Sequence, residues 1–218
     1  MLASFIVIMA VLVFMTVTNL DLIVASAIKK YGSEVVGTKV KVSSVKIRLK
    51  TGVGSIQGLA VVNPDGFSER NAVLIENIDI NISRENITRE VVIIDEIVVR
   101  KPSVLYEIGR GGDSNLAKIG RSLQKAEARS DAEYRSGKRI AIRSLIIEEG
   151  ELLVQIGTLA QGSRTVATPR IELRDLGGEY GTSTGNIARQ IGSAIAREAA
   201  ANVPPMGNGG SMENFLGK

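Results

Sequence analysis

The 218-residue chain contains no histidine, no cysteine and no tryptophan, and aromatic residues make up only 4% of it. Each absence removes a class of chemistry. Without cysteine there is no disulfide framework, no thiolate nucleophile and no thiolate-built zinc site. Without histidine there is no Ser-His-Asp triad, no imidazole general base and no histidine-ligated metal. Asp, Glu, Lys, Tyr, Ser and Thr are left for catalysis, so composition points away from an enzyme. No cofactor motif is present. Charge of one sign is also scarce in net terms, with 27 Lys+Arg against 23 Asp+Glu and a balance of +4. The length fits one medium domain with attachments.

What the chain does have is a long apolar start. Residues 1–20 read MLASFIVIMAVLVFMTVTNL, and the first charged side chain is Asp21. About 20 helical residues cross the roughly 30 Å hydrocarbon core of a bilayer. Residues 1–24 are therefore expected to be a membrane anchor, with Phe5, Ile6, Ile8, Val11, Leu12 and Phe14 facing lipid. A cleaved signal peptide is the rival, since Ala25-Ser26-Ala27 has the small-x-small form of a cleavage site. The apolar run is longer than a usual signal core, and no basic residue precedes it. Lys29-Lys30 is the nearby basic pair, and its position after the run encodes orientation poorly.

Residues 21–37 predict a short helix, with 25–37 as its juxtamembrane part. Leu22, Ile23, Ala27 and Ile28 give its apolar stripe, and Gly32 or Gly37 its end. From Thr38 the apolar period becomes two. Val40 and Val42 share one phase while Val45, Ile47 and Leu49 share the other, a slip at Ser43-Ser44 that predicts a bulge. Strands follow at 55–63, 72–82 (with another slip near Asn77), 91–99 and 103–108, with Asn63-Pro64-Asp65-Gly66 as a turn. A helix at 115–129 has Leu116, Ile119, Leu123 and Ala126 on one face and Asn115 or Ser114 as cap. Residues 130–137 read as a linker. A second β section and a helix with Ile187, Ile191 and Ile195 one turn apart fill 138–203, and 204–218 form a glycine-rich, flexible tail. VVIIDEIVVRKPSVLYEIG and RIAIRSLIIEEGELLVQIG both run strand, charged kink, strand, a supersecondary recurrence. The expected fold is an N-terminal transmembrane helix plus α+β: a curved antiparallel meander of about eight strands with two covering helices, roughly 40 Å wide.

Several of these segments together resemble the AsmA-like proteins of Gram-negative bacteria. The residues concerned are LDLIVASAIKKYGSEVVGTKVKVSSVKIRL, GSIQGLAVVNPDGF, VVIIDEIVVRKPSVLYEI and GGDSNL. Shared traits are Gly-Thr before a basic strand, Leu-x-Val-x-Asn-Pro-x-Gly-Phe, Ile-Asp-x-Ile and an Asn-Leu that opens a helix. The likeness covers about residues 20–120, and the second β section looks like short members of the group. It implies a single-pass inner-membrane protein with its β domain in the periplasm. It also implies a non-enzymatic role in envelope lipid binding, lipid homeostasis or outer-membrane biogenesis. Larger relatives are long repeating β-grooves thought to carry lipids, and this chain has length for one module.

The candidate functional residues follow from charge and phase. Lys39, Lys41, Lys46, Arg48 and Lys50 form a basic stripe without an intervening acid. Its functional reading is contact with anionic headgroups, at about 1 kcal/mol per residue near the surface. Its plain reading is the solvated face of an edge strand. Ile47, Leu49, Ile56, Leu59, Ile78, Ile80 and Ile97 are candidates to line an acyl-chain groove, or simply to form a core under the two helices. The expected partner is membrane lipid, with other envelope proteins or further copies of the chain as additional partners. A structural subunit of a larger membrane assembly is the competing reading. Nucleic acid is not expected, because stacking aromatics are missing and the charges nearly cancel. Gly109-Arg110-Gly111-Gly112-Asp113 lacks the phosphate-loop ending. The acids at Asp95-Glu96 and Glu148-Glu149-Glu151 lack metal-ligand spacing and read as solvated turns or ion pairs.

Overall fold

The structure is a computed structural model. It describes residues 20–48, 50–83, 85, 90–109, 111–133, 139–156, 163–183, 186, 187, 189–191, 193 and 194. The anchor residues Phe5, Ile6, Ile8, Val11, Leu12 and Phe14, groove candidate Leu49 and the tail 204–218 lie outside these. Among the described residues no helix is long and apolar enough to cross a membrane.

The fold is α+β. In order, the elements are α1 (Leu20–Val36), β1 (Val40–Lys41), β2 (Ser44–Arg48), β3 (Val53–Val62), β4 (Asn71–Ile82), β5 (Val91–Ile108), α2 (Asn115–Glu133), β6 (Arg139–Ile147), β7 (Gly150–Ile156), β8 (Arg164–Thr168) and β9 (Ile171–Leu176). Residues described within 186–194 are helical. All nine strands join one open sheet. β1 and β2 pair with β3, β3 with β4, and β4 with β5, all antiparallel, so the first half is the meander its sequence predicts.

The second half is not a meander. β5 pairs with both β6 and β7 in parallel, so the sheet is mixed. A parallel return needs a crossover of a dozen or more residues, and α2 lies in that crossover. The segments 91–99 and 103–108 are also one continuous strand rather than two neighbours. Lys101, at φ 48°, bends the chain there. A single left-handed residue kinks a strand without reversing it.

One geometric rule organises the whole sheet. Val40↔Val61 and Ser44↔Gln57 keep one register across the gap between β1 and β2. No residue is inserted at Ser43-Ser44, so the expected bulge is instead a bend in register, with Ser43 opposite Gly58. That register carries Gly58 to Glu76, and Glu76 to Lys101. In the parallel pairings Val91↔Arg139 and Ser103↔Glu151 share one offset, 139−91 = 151−103 = 48, which sets Lys101 beside Glu149. Ile147↔Ile171 and Gly150↔Thr168 share the sum 318, which sets Glu149 opposite Pro169. Ser43, Gly58, Glu76, Lys101, Glu149 and Pro169 therefore form a crease running straight across the sheet. The nine strands are six long ribbons (β1–β2, β3, β4, β5, β6–β7, β8–β9), whose pairing is interrupted on that line while the register is kept on both sides. Width is accordingly about 24 Å, five intervals of roughly 4.8 Å, not the 40 Å of eight strands abreast. The two recurrent sequence segments are the neighbouring ribbons β5 and β6–β7, lying in parallel at their own sequence offset.

The crease accounts for the phase slips. Burial falls on Val40 and Val42 before it and on Val45 after it, and on Val98 before and Leu105 and Glu107 after. Tight backbone approach holds the bend. Gly58 sits at φ +60°, and a Cβ there would come within 2.2 Å of Ser43 Oγ. A Cβ on Gly150 would meet the Pro102 carbonyl oxygen at 2.2 Å.

Two packing units flank the crease. Ile142, Leu145, Leu176 and Ile187 form a core cluster, with Ile94, Ile97, Val99, Ile147 and Ile191 against it. The helical residues of 186–194 thus cover the β5–β6–β9 side, as Ile187 and Ile191 predict. On the other side of the crease, Glu107 and Asn115 are fully buried beside the 63–67 turn. Asn63 Nδ2 (2.9 Å) and Ser68 Oγ (2.6 Å) donate to the Glu107 carboxylate. Asn115 Nδ2 donates to Asn63 Oδ1 (2.8 Å) and to the Leu105 carbonyl (2.7 Å). Ser114 is the cap of α2, its Oγ accepting from Ala117 N, which leaves Asn115 free to turn inward. α2 buries Ile119, as its periodicity predicts, and runs on through 130–133, which the sequence suggests as linker.

Gly58→Ala should cost at least about 2 kcal/mol in urea unfolding, because a left-handed alanine costs about 1–2 kcal/mol before any clash. In a Ser43→Gly background only that conformational part, about 1–2 kcal/mol, should remain. Equal penalties in both backgrounds would show that the Ser43 contact does not hold the crease.

Candidate functional site

α1 lies along the free edge of β1–β2, and two side chains explain why. Asp21 Oδ1 accepts from Ile47 N at 2.8 Å, and Ser33 Oγ accepts from Val40 N at 2.8 Å. Both amides belong to the outermost ribbon, whose inner partner is β3. The helix therefore satisfies donors that an edge strand otherwise presents to any passing strand. Gly32 faces Val40, its Cβ position lying at an ordinary contact distance of 3.4 Å from a Val40 methyl. Gly37, at φ +69°, ends the helix, while Gly32 is inside it.

This docking corrects the expected apolar stripe. The side toward the sheet carries Asp21, Val24, Ile28 and Gly32, while Leu22 and Ile23 are 67% and 50% exposed. The polar bond from Asp21 sets the rotation of the helix, and the apolar pair is turned outward.

Two concavities border α1. The first is a basic cleft of about 720 Å³ between α1 and β1, lined by Ser26, Lys29, Lys30, Ser33, Lys39, Val40, Lys41 and Val42. It unites the stripe's first two lysines with the Lys29-Lys30 pair, which sequence offers only as an orientation signal. Lys46, Arg48 and Lys50 continue along β2 and its turn, exposed but outside the cleft. The second is an apolar cavity of about 200 Å³ under the start of α1. Val24, Val45, Ile47, Val53, Ile56, Ile80 and Ile82 line it, with Arg48, Gly52, Gly54 and Ser55. Of the groove candidates, Ile47, Ile56 and Ile80 meet here. Leu59 and Ile78 are half-buried elsewhere on the sheet, and Ile97 packs into the Ile142–Leu145 core.

One acid from each acidic cluster, Asp95 and Glu148, is in an ion pair on the exposed surface. Arg100 bridges Asp79 (2.8 Å) and Glu148 (2.6 Å), Lys101 pairs with Glu76 along the crease (2.9 Å), and Arg143 pairs with Asp95 (3.2 Å). The hydrogen bond from Arg100, then that from Asn77, holds Asp79 below its ordinary value of 3.8. A depressed carboxyl stabilises the fold above that ordinary value and loses the contribution as pH falls through its folded value. In the 109–113 loop, Asp113 is paired with Arg121 and accepts from Ser114 N, so the loop's acid is committed to the start of α2.

Sequence reasoning missed the Asn63–Glu107–Asn115 network. Its signals are the Asn-Pro turn and the Asn-Leu helix start, which sequence alone reads as two separate local features. No family model matches the chain, and no curated protein matches it.

If Asp21 and Ser33 seal the edge, Asp21→Ala should raise amide hydrogen exchange at Ile47, and Ser33→Ala at Val40, each at least about tenfold. Asp21→Asn, which keeps an acceptor oxygen, should raise Ile47 exchange far less. Unchanged exchange at Ile47 in Asp21→Ala would remove the edge-sealing role.

Proposed function

We propose that this chain is an AsmA-like, single-pass inner-membrane protein whose β domain lies in the periplasm and binds membrane lipid without catalysing a reaction. Its role is in envelope lipid homeostasis or outer-membrane biogenesis. Residues 1–24 supply the anchor, and α1 continues from it along the sheet.

The observation that carries this reading is the pairing of two unlike concavities on one helix. Val24 lines the apolar cavity, and Lys29 and Lys30 line the basic cleft with Lys39 and Lys41. Five residues of helix separate Val24 from Lys29, about 8 Å at 1.5 Å per residue. An apolar pocket beside a cluster of ammonium groups complements an anionic amphiphile. The cavity is large enough for the end of one acyl chain, since a dry site of about 150 Å³ accepts benzene. Two whole chains do not fit. The longest strand, the 18 residues of β5, reaches about 60 Å at most, so one copy is a single module that passes its lipid to a partner or to another copy.

The test is lipid mass spectrometry on the full chain purified in mild detergent. Anionic phospholipid should co-purify with the wild type. Changing Lys29, Lys30, Lys39 and Lys41 together to Gln should lower its anionic share at least about tenfold, given about 1 kcal/mol per basic residue. Gly54→Val should lower total bound lipid by narrowing the cavity, because the Gly54 Cβ position meets Ile80 Cβ at 3.9 Å without a clash. A lipid-free chain that runs only in a fixed-stoichiometry complex would instead establish the accessory-subunit reading.

A further inference from the structure

Seven large hydrophobic side chains are well exposed among the described residues: Leu22, Ile23, Tyr31, Val35, Val53, Leu74 and Tyr180. Single exposed hydrophobics need no explanation, but these are not evenly spread. Leu22 and Ile23 are in the first turn of α1, which Asp21 pins to Ile47, and Ile47 is one residue before Arg48, the register partner of Val53. Tyr180, 73% exposed, is in the loop after β9. The Cβ position of Gly181 is 2.8 Å from a Val91 methyl and 3.1 Å from Arg139 Cβ, which holds that loop against the starts of β5 and β6. By register, Val53↔Asn81, Ile82↔Ile94 and Val91↔Arg139 put those starts at the same end of the sheet as the β2–β3 turn.

We infer that this end of the sheet is a docking surface that lies on a phospholipid bilayer, with Leu22, Ile23, Val53 and Tyr180 as its contacts and Arg48 and Lys50 at its headgroup level. The inference rests on the membrane-lipid reading above and adds the orientation of the domain. Three observations choose the bilayer as occupant. The apolar sequence 1–19 leads into α1 at Leu20, and the first turn of α1 is at this end of the sheet. Arg48 and Lys50 are exposed beside Val53, which suits anionic headgroups. A tyrosine with an apolar body and polar tip suits the membrane–water boundary. The apolar cavity, lined by Val24, Gly52 and Val53, is then at the interface itself, so an acyl chain enters from the leaflet. The basic cleft at Lys29 stands about 10 Å along α1 from the bilayer contact Leu22, seven residues at 1.5 Å each.

The chain has no tryptophan, so each introduced indole reports alone. Val53→Trp, Tyr180→Trp and, as a control beyond the crease, Leu74→Trp are made at exposed positions in the full chain. Each variant is reconstituted into phosphatidylethanolamine–phosphatidylglycerol vesicles with and without brominated acyl chains. Side chains that enter the headgroup–acyl boundary should lose fluorescence at least about twofold to bromine at positions 53 and 180, with position 74 unquenched. Neither 53 nor 180 is close in sequence to the anchor, so anchoring alone does not quench them. A chain that floats with the vesicles but shows no quenching at 53 and 180, or equal quenching at 74, overturns the inference and assigns this end to solvent or a protein. A chain that fails to float overturns the membrane reading itself.

Discussion

A β-sheet keeps its registers on both sides of a break in the ladder only if every ribbon is interrupted at the same row. Here the row is Ser43, Gly58, Glu76, Lys101, Glu149 and Pro169, fixed by the constant registers on either side of it. Two of the six residues hold left-handed backbone, and one is a proline that donates no hydrogen bond. Side chains that would alternate across a flat sheet are reset at this line, which is why burial passes from Val42 to Val45. Each half of the sheet then presents its own apolar surface. One is taken by the helical residues around Ile187, and on the other side of the line Glu107, Asn63 and Asn115 close the end beside α2.

The edges depend on the same line. Because β1 and β2 are two arms of one ribbon, a single straight helix can serve both, with Ser33 bonded to Val40 before the crease and Asp21 to Ile47 after it. That two-point attachment dictates the rotation of α1. It turns Lys29 and Lys30 toward Lys39 and Lys41, Val24 toward Ile80, and Leu22 and Ile23 outward. The chemistry proposed for the molecule is thus a consequence of how one helix covers one sheet edge. Buried polar groups support the arrangement at low cost, since each donor to Glu107 has its acceptor. An orphaned buried partner costs roughly 1–3 kcal/mol.

Much of this was legible in residue order. Period-two runs place the strands of the first half, Ile187 and Ile191 announce their helix, and Leu116, Ile119 and Leu123 announce α2. The slips at Ser43 and Asn77 are true marks of the crease, but each strand read alone offers a local bulge as the cheaper explanation. In the sequence, the parallel pairing of β5 with β6–β7 shows only as a recurrence of pattern, which does not imply adjacency. Leu22 and Ile23 misled for an electrostatic reason: hydrophobic periodicity has no knowledge that an unpaired strand amide competes for Asp21.

By itself the sequence determined the class of chemistry left to the chain, the apolar start, the basic strand, the identity of most strands and helices, and the turn at Asn63. Those properties are local, set by composition and by spacing along one segment. Only the tertiary structure decided which strands neighbour one another, which face of α1 meets the sheet, and that four lysines from two segments share a cleft beside an apolar cavity. These depend on hydrogen-bond partners far apart in the chain, Asp21 with Ile47 and Asn63 with Glu107 and Asn115. Their pairing follows from closing every buried donor in three dimensions, a condition that no single segment carries.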